Sequence, residues 1–179
     1  MSGRLRTVCV VGTKKSGKTT VVERLLPEIR RRGLRAGTLK LIHHEGFTIH
    51  AEGRDTARHW QAGADFSLAL APGETALVRR TRGRHDTMDE VRPLIPEGTD
   101  VLLCEGSVLG GEDVRTVVCA RTEGELTTVL AELPADAHPV AAAGVVARGG
   151  GGGRIGGLVA LDVEDAEDLR RLAGLVLAE

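Results

Sequence analysis

Aromatic side chains are nearly absent: the chain of 179 residues has one Trp, two Phe and no Tyr. Trp60, Phe47 and Phe66 are too few to build a base-stacking platform, which argues against a single-stranded nucleic-acid binder. An excess of one charge is lacking too. The formal net charge is −1, so no bulk positive field draws nucleic acid, although arginines gather at 30–32 and 79–84. Cysteine is scarce, and Cys9, Cys104 and Cys119 each sit in an apolar run. They form neither a C-x-x-C pair nor a disulfide framework, and the expectation is three small buried core residues. No apolar stretch reaches membrane length, and no signal-peptide pattern opens the chain. The expected setting is the cytoplasm, with neither membrane nor nucleic acid as a partner.

What the chain does have is glycine in an informative place. Residues 12–19 read GTKKSGKT, which is glycine, four spacers and Gly-Lys-Thr, the phosphate-binding pattern. The apolar run Val8-Cys9-Val10-Val11 precedes it and an amphipathic segment follows, so the string has the strand–loop–helix context that makes it meaningful. Gly12 permits the sharp turn, and Gly17 lets backbone approach an oxygen-rich ligand with no Cβ in the way. The loop amides of Thr13, Lys14, Lys15 and Ser16 then point inward, and the helix start adds its positive dipole end. Lys18 is placed to reach the β- and γ-phosphates, and the Thr19 hydroxyl to ligate Mg²⁺. Thr20, Lys14 and Lys15 add polar and positive groups. Thr13 stands where many partner-positioning ATPases carry an extra lysine, so no second signature lysine is assigned.

Hydrophobic content of 41% and charged content of 27% are ordinary for a globular chain, and the length suits one domain with a real core. Apolar runs alternate with amphipathic segments, which predicts an α/β fold around a mainly parallel sheet. Strands are expected at 5–11, 35–41, 101–104, 114–120 and 139–146. Residues 66–71 and 75–80 should form a hairpin about Pro72-Gly73. Helices are expected at 18–32, 55–62, 86–92, 123–133 and 163–178. Pro27 should kink the first helix or cost it one hydrogen bond. Glycine-rich residues 148–157 read as a flexible loop, with a last short strand at 158–161.

A phosphate site also needs an acid facing the metal, usually from the end of another buried strand. The segment VLLCEG supplies Glu105, while Asp100 belongs at the opposite end of that strand. Lys40 is expected at a strand end on the same sheet edge as the phosphate loop. His43, His44, Glu45, His50, Glu52, Arg54 and Asp55 follow it. Asp55 either caps a short helix, approaches the metal or orients an attacking water. The three histidines raise a transition-metal site as an alternative, against a polar switch-like loop over a nucleotide.

Taken in order, GTKKSGKTT, LKLIHHEGFTIHAEGRDTARHWQAGAD and VLLCEG resemble the molybdopterin-guanine dinucleotide biosynthesis adaptor proteins of the MobB type. The resemblance spans most of residues 5–120. It implies a three-layer P-loop NTPase fold, with a small β-hairpin insertion in a single nucleotide-binding domain. It also implies GTP and Mg²⁺ as cofactors, weak GTP hydrolysis and a homodimer. The partners it implies are the molybdenum cofactor guanylyltransferase and a molybdoenzyme. By this match Gly12, Lys18, Thr19, Lys40, Asp55 and Glu105 carry over, with Lys18, Asp55 and Glu105 as catalytic residues and Thr19, Glu105 and Asp55 around the metal. No Asn-Lys-x-Asp guanine-reading motif is present, so GTP over ATP rests on the resemblance alone. A nucleotide-driven metal-delivery GTPase is the second reading, carried by the histidines. A small-molecule kinase is the third, with Arg79, Arg80, Arg82 and Arg84 as its lid, against the preferred reading of these arginines as an exposed basic hairpin.

Overall fold

The structure, a computed structural model, describes residues 4–42, 47–49, 54–81, 87–109, 114–150 and 152–178. The chain divides into two compact units: Met1–Leu41 together with Asp86–Glu179, and Ile42–His85.

The first unit is built on β1 (Arg6–Gly12), β2 (Ala36–Lys40), β5 (Val101–Glu105), β6 (Val114–Cys119) and β7 (Pro139–Ala143). They form one parallel sheet in the order β2-β5-β1-β6-β7. The central strands are apolar at nearly every position because both faces are covered. On one face Val8, Val10, Leu103 and Val117 pack against Val21, Leu25 and Ile29 of α1 (Lys18–Arg31) and Leu172, Ala173 and Val176 of α5 (Ala166–Leu177). On the other, Cys9, Val11, Leu102, Cys104 and Val118 meet Leu126 of α4 (Glu123–Glu132) and Met88 and Val91 of α3 (Met88–Val91). The result is three layers.

The cysteines are the expected core residues, all buried. Cys9 and Cys104 are register partners across β1 and β5. A hydrogen bond with Cys9, together with burial, pushes the Cys104 thiol up, and burial pushes Cys119 to about 12. The Cys104 and Cys119 sulfurs are inert hydrophobes rather than nucleophiles, while the hydrogen bond with Cys104 draws the buried Cys9 thiol down. Helix α1 continues through Pro27, at the loss of one backbone hydrogen bond.

Two elements depart from the sequence expectation. The run expected to stay extended to residue 146 stops at Ala143, and Gly144–Ala147 forms a 3₁₀ turn. Gly144 has φ 77°, a left-handed conformation that ends the strand. The expected loop at 148–157 contains β8 (Arg154–Ile155), which pairs antiparallel with β9 (Leu158–Val159). Gly156 and Gly157 both have positive φ, as a two-residue hairpin turn requires. Elsewhere in this stretch Gly149 N donates to Asp162 Oδ2 at 2.9 Å and Gly153 N to Gly150 O at 3.3 Å. The last expected strand is shorter than read: past Val159, Ala160 forms an isolated parallel bridge with Ala142, and Leu161 N donates to Ala142 O at 2.9 Å.

The second unit holds α2 (Asp55–Gln61) and the hairpin of β3 (Phe66–Ala71) and β4 (Glu74–Arg79). Gly73 takes φ 91° at its turn. Arg80 lies over the Trp60 ring, 4.2 Å from its centroid, and donates to Trp60 O and Ala64 O. Phe66, Leu68, Leu70 and Leu77 are all more than half exposed. Alternation and the Leu68–Leu77 register put them on one face of the hairpin. Among the described residues, no helix is long and apolar enough to cross a membrane.

Candidate nucleotide site

The site forms where three parallel strands end together. Register pairs Val10 of β1 and Lys40 of β2 with Glu105, the last residue of β5. All three strands therefore deliver their carboxyl ends to one edge, where open α/β sheets bind ligands.

The loop Gly12–Gly17 turns from β1 into α1. Gly12 (φ 142°), Lys15 (φ 63°) and Gly17 (φ 94°) take positive φ, a conformation that turns successive amides toward a common centre. A Cβ on Gly12 would lie 1.8 Å from Cys119 O, so only glycine fits against the end of β6. Helix α1 starts at Gly17 with no side-chain cap and no acidic residue in its first turn. Its positive dipole end is offered to an anion instead. Lys18 Nζ bridges the loop, donating to Gly12 O at 3.0 Å and Thr13 O at 2.6 Å. Its ammonium is thus held at the loop mouth rather than in the core.

Glu105 Oε1 accepts hydrogen bonds from Thr19 Oγ1 at 2.9 Å and from Lys40 Nζ at 3.1 Å. The side chain of Glu105 is 15% exposed and that of Lys40 61%. Hydroxyl and carboxylate are the hard oxygen donors Mg²⁺ prefers, and here they meet at the residue next in sequence to Lys18. Asp100, by contrast, accepts from Arg35 N at 2.7 Å, at the start of β5. The structure therefore brings Lys18, Thr19, Lys40 and Glu105 together. Asp55 belongs to the second unit, where it opens α2, is 84% exposed and lies 3.7 Å from Arg58. His43, His44, Glu45, His50 and Glu52, like Arg82 and Arg84, lie outside the described residues. Arg80 is engaged by Trp60 and two carbonyls, which favours a structural role over a lid.

Two features of the site were missed in the sequence. The first is Gly144, which backs the loop. Val145 N donates to Ser16 O at 3.0 Å, and a Cβ on Gly144 would lie 2.1 Å from that same oxygen. The second is Glu125 in the first turn of α4. Its Oε2 accepts from Thr13 Oγ1 at 2.8 Å and from Arg121 N at 3.0 Å, while its Oε1 accepts from Arg121 Nε at 2.8 Å. The Arg121 guanidinium, then the Arg121 amide and the Thr13 hydroxyl, hold the Glu125 carboxyl down at about 2. The pattern Thr122-x-x-Glu125 before an apolar helix is a capping-box signal. It would have marked the helix start, though not the reach to Thr13. Beside Thr13 runs a groove of about 390 Å³, walled by Val11, Gly106, Val108, Val129 and Leu133.

This geometry sits within a known family. The model of the molybdopterin guanine dinucleotide synthesis protein B family, MobB, matches residues 7–134. The chain belongs to this family. It is 37% identical over 100 residues to a probable molybdopterin-guanine dinucleotide biosynthesis adapter protein of Bacillus subtilis, covering 55% of this chain and 57% of that protein. It is 29% identical over 107 residues to the adapter protein of Haemophilus influenzae, covering 59% of each. The matched stretch thus spans less than two thirds of these curated relatives. The crystal structure of Bacillus subtilis MobB matches over 97% of this chain and 99% of its own, with a TM-score of 0.70 and 26% identity. The three-layer arrangement is accordingly the MobB P-loop NTPase fold.

Proposed function

We propose that this protein binds GTP with Mg²⁺ at the Gly12–Thr20 loop, hydrolyses it slowly, and serves as an adaptor in molybdopterin guanine dinucleotide formation. Its partner is the guanylyltransferase that joins GMP to molybdopterin, and the receiving molybdoenzyme is a further partner. The observation that carries the nucleotide part is the meeting of Thr19 and Glu105 at 2.9 Å beside Lys18. The adaptor role rests on family membership and the named relatives.

In this reading the loop amides and the α1 dipole bind the phosphates, and Lys18 moves from its carbonyl partners to phosphate oxygens. Thr19 and Glu105 hold the metal, which when bound neutralises charge building on the phosphates. Asp55 is carried over from the family resemblance as the residue that orients the attacking water, within a single nucleotide-binding domain. The apolar hairpin face of Phe66, Leu68, Leu70 and Leu77 supports a homodimer, since exposed patches of this kind mark interaction sites. The protein works in the cytoplasm, and ATP is the alternative nucleotide.

Calorimetry with GTP and ATP in MgCl₂ tests the reading, followed by single-turnover hydrolysis by Glu105→Gln. Binding of GTP in preference to ATP, with hydrolysis in the variant reduced more than affinity, supports it. Absence of binding of either nucleotide removes it.

A further inference from the structure

The Lys40 contact carries an inference that rests on the nucleotide reading and deepens it. One carboxylate oxygen, Glu105 Oε1, serves two donors at once: the Thr19 hydroxyl and the Lys40 ammonium. Thr19 Oγ1 and Glu105 are also the donors a divalent ion would use. An ammonium at 3.1 Å from that oxygen and a divalent cation on the same carboxylate repel each other across a few ångströms, so each weakens the other's hold. Which one yields is decided by exposure. Lys40 is 61% exposed on a flexible four-carbon stem, and ion pairs of this kind are easily exchanged. Glu105 is the less mobile partner, 15% exposed at the end of a buried strand.

Displaced from Glu105, the ammonium still hangs from the last residue of β2, on the same sheet edge as the loop and one strand beyond β5. It lies only two hydrogen bonds away from the Thr19 hydroxyl. Thr19 and Glu105 would hold a metal that neutralises phosphate charge, and the terminal phosphate would then offer the released ammonium an anion to pair with. We propose that Lys40 competes with the divalent metal for Glu105 and, on giving way, engages the γ-phosphate, so that this lysine makes the site discriminate triphosphate from diphosphate.

Two consequences have opposite signs, and a plain phosphate-binding lysine would not produce both. Removing the ammonium while keeping the stem, in Lys40→Met, relieves the competition. The affinity of the GDP-loaded protein for Mn²⁺, read by electron paramagnetic resonance, should then rise about threefold. The affinity for a non-hydrolysable GTP analogue with Mg²⁺, read by calorimetry, should fall about tenfold for want of one charge-assisted hydrogen bond. Affinity for GDP should change less than twofold, so the triphosphate preference collapses. Lys40→Arg, which keeps the charge, should retain that preference. Unchanged or weaker Mn²⁺ binding in Lys40→Met, equal weakening for GDP and the analogue, or loss of the preference in Lys40→Arg would overturn this proposal while leaving nucleotide binding in place. If the unaltered chain bound neither nucleotide, the underlying reading would fall with it.

Discussion

Helix α1 and helices α4 and α5 begin in opposite ways. At α5, Asp165 Oδ1 accepts from the amides of Glu167 and Asp168 at 2.9 Å, and two acids occupy the first turn. At α4, Thr122 Oγ1 accepts from Glu125 N at 3.2 Å, and again two acids stand in the first turn. Both helices satisfy their orphan amides and positive dipole ends from within. Helix α1 has neither a side-chain cap nor an acid, only a glycine turn and two threonines behind a lysine. The amides that are capped at α4 and α5 are left open to an external anion here. On the proposed reading one kind of helix start serves architecture and the other binding, and the two should respond differently to mutation.

The largest effect is expected behind the loop. Gly144→Ala would place a Cβ 2.1 Å from Ser16 O at a φ of 77°, so backbone must move. Left-handed strain and overpacking together should cost about 2–5 kcal/mol, seen in urea melts, and nucleotide affinity should fall with stability. Unchanged melts would show that the loop does not lean on the Gly144–Ala147 turn. Lys18→Ala sharpens the contrast from the ligand side. Among the described residues it bonds two loop carbonyls, so melting should barely change while nucleotide affinity drops about 100-fold. Asp165→Ala is the mirror image. Loss of the α5 cap should cost about 1 kcal/mol of stability and leave nucleotide affinity unaltered. If affinity fell there too, the division between architectural and binding helix starts would fail.

The smallest effect is a pH dependence. Glu125 is held at about 2, below its ordinary 4.5. A depressed carboxyl stabilises the folded chain fully above its unfolded value, and the contribution is lost as pH falls from about 4.5 toward 2. Replacing it in Glu125→Gln should flatten the loss of stability over that window, measured by urea midpoints. An equally steep loss in the variant would exclude Glu125 as a source.

Residues 12–19 were legible because their chemistry is local: the glycines, the lysine and the threonine act within one turn of chain. Glu105 was legible because four apolar residues ending in an acid announce a buried strand with a polar tip. The hairpin at 66–79 was legible from Pro72-Gly73. Glu125 was not, since on a one-dimensional reading it is an ordinary acid at a helix start, and its bond to Thr13 spans 112 residues of chain. Gly144 was not, because a glycine after three alanines looks like a strand end until Ser16 is packed against it. The joint claim of Thr19 and Lys40 on Glu105 depends on β2 pairing with β5 and β5 with β1. Strand order is a property of the whole sheet, beyond what any single segment encodes.

The contrast between helix starts is tested most directly by amide hydrogen exchange with and without saturating Mg²⁺ and GTP. Protection should rise across the amides of residues 13–20 while the starts of α4 and α5 stay as they were. Exchange at 13–20 unaltered by saturating GTP would contradict the assignment of this turn as the phosphate cradle.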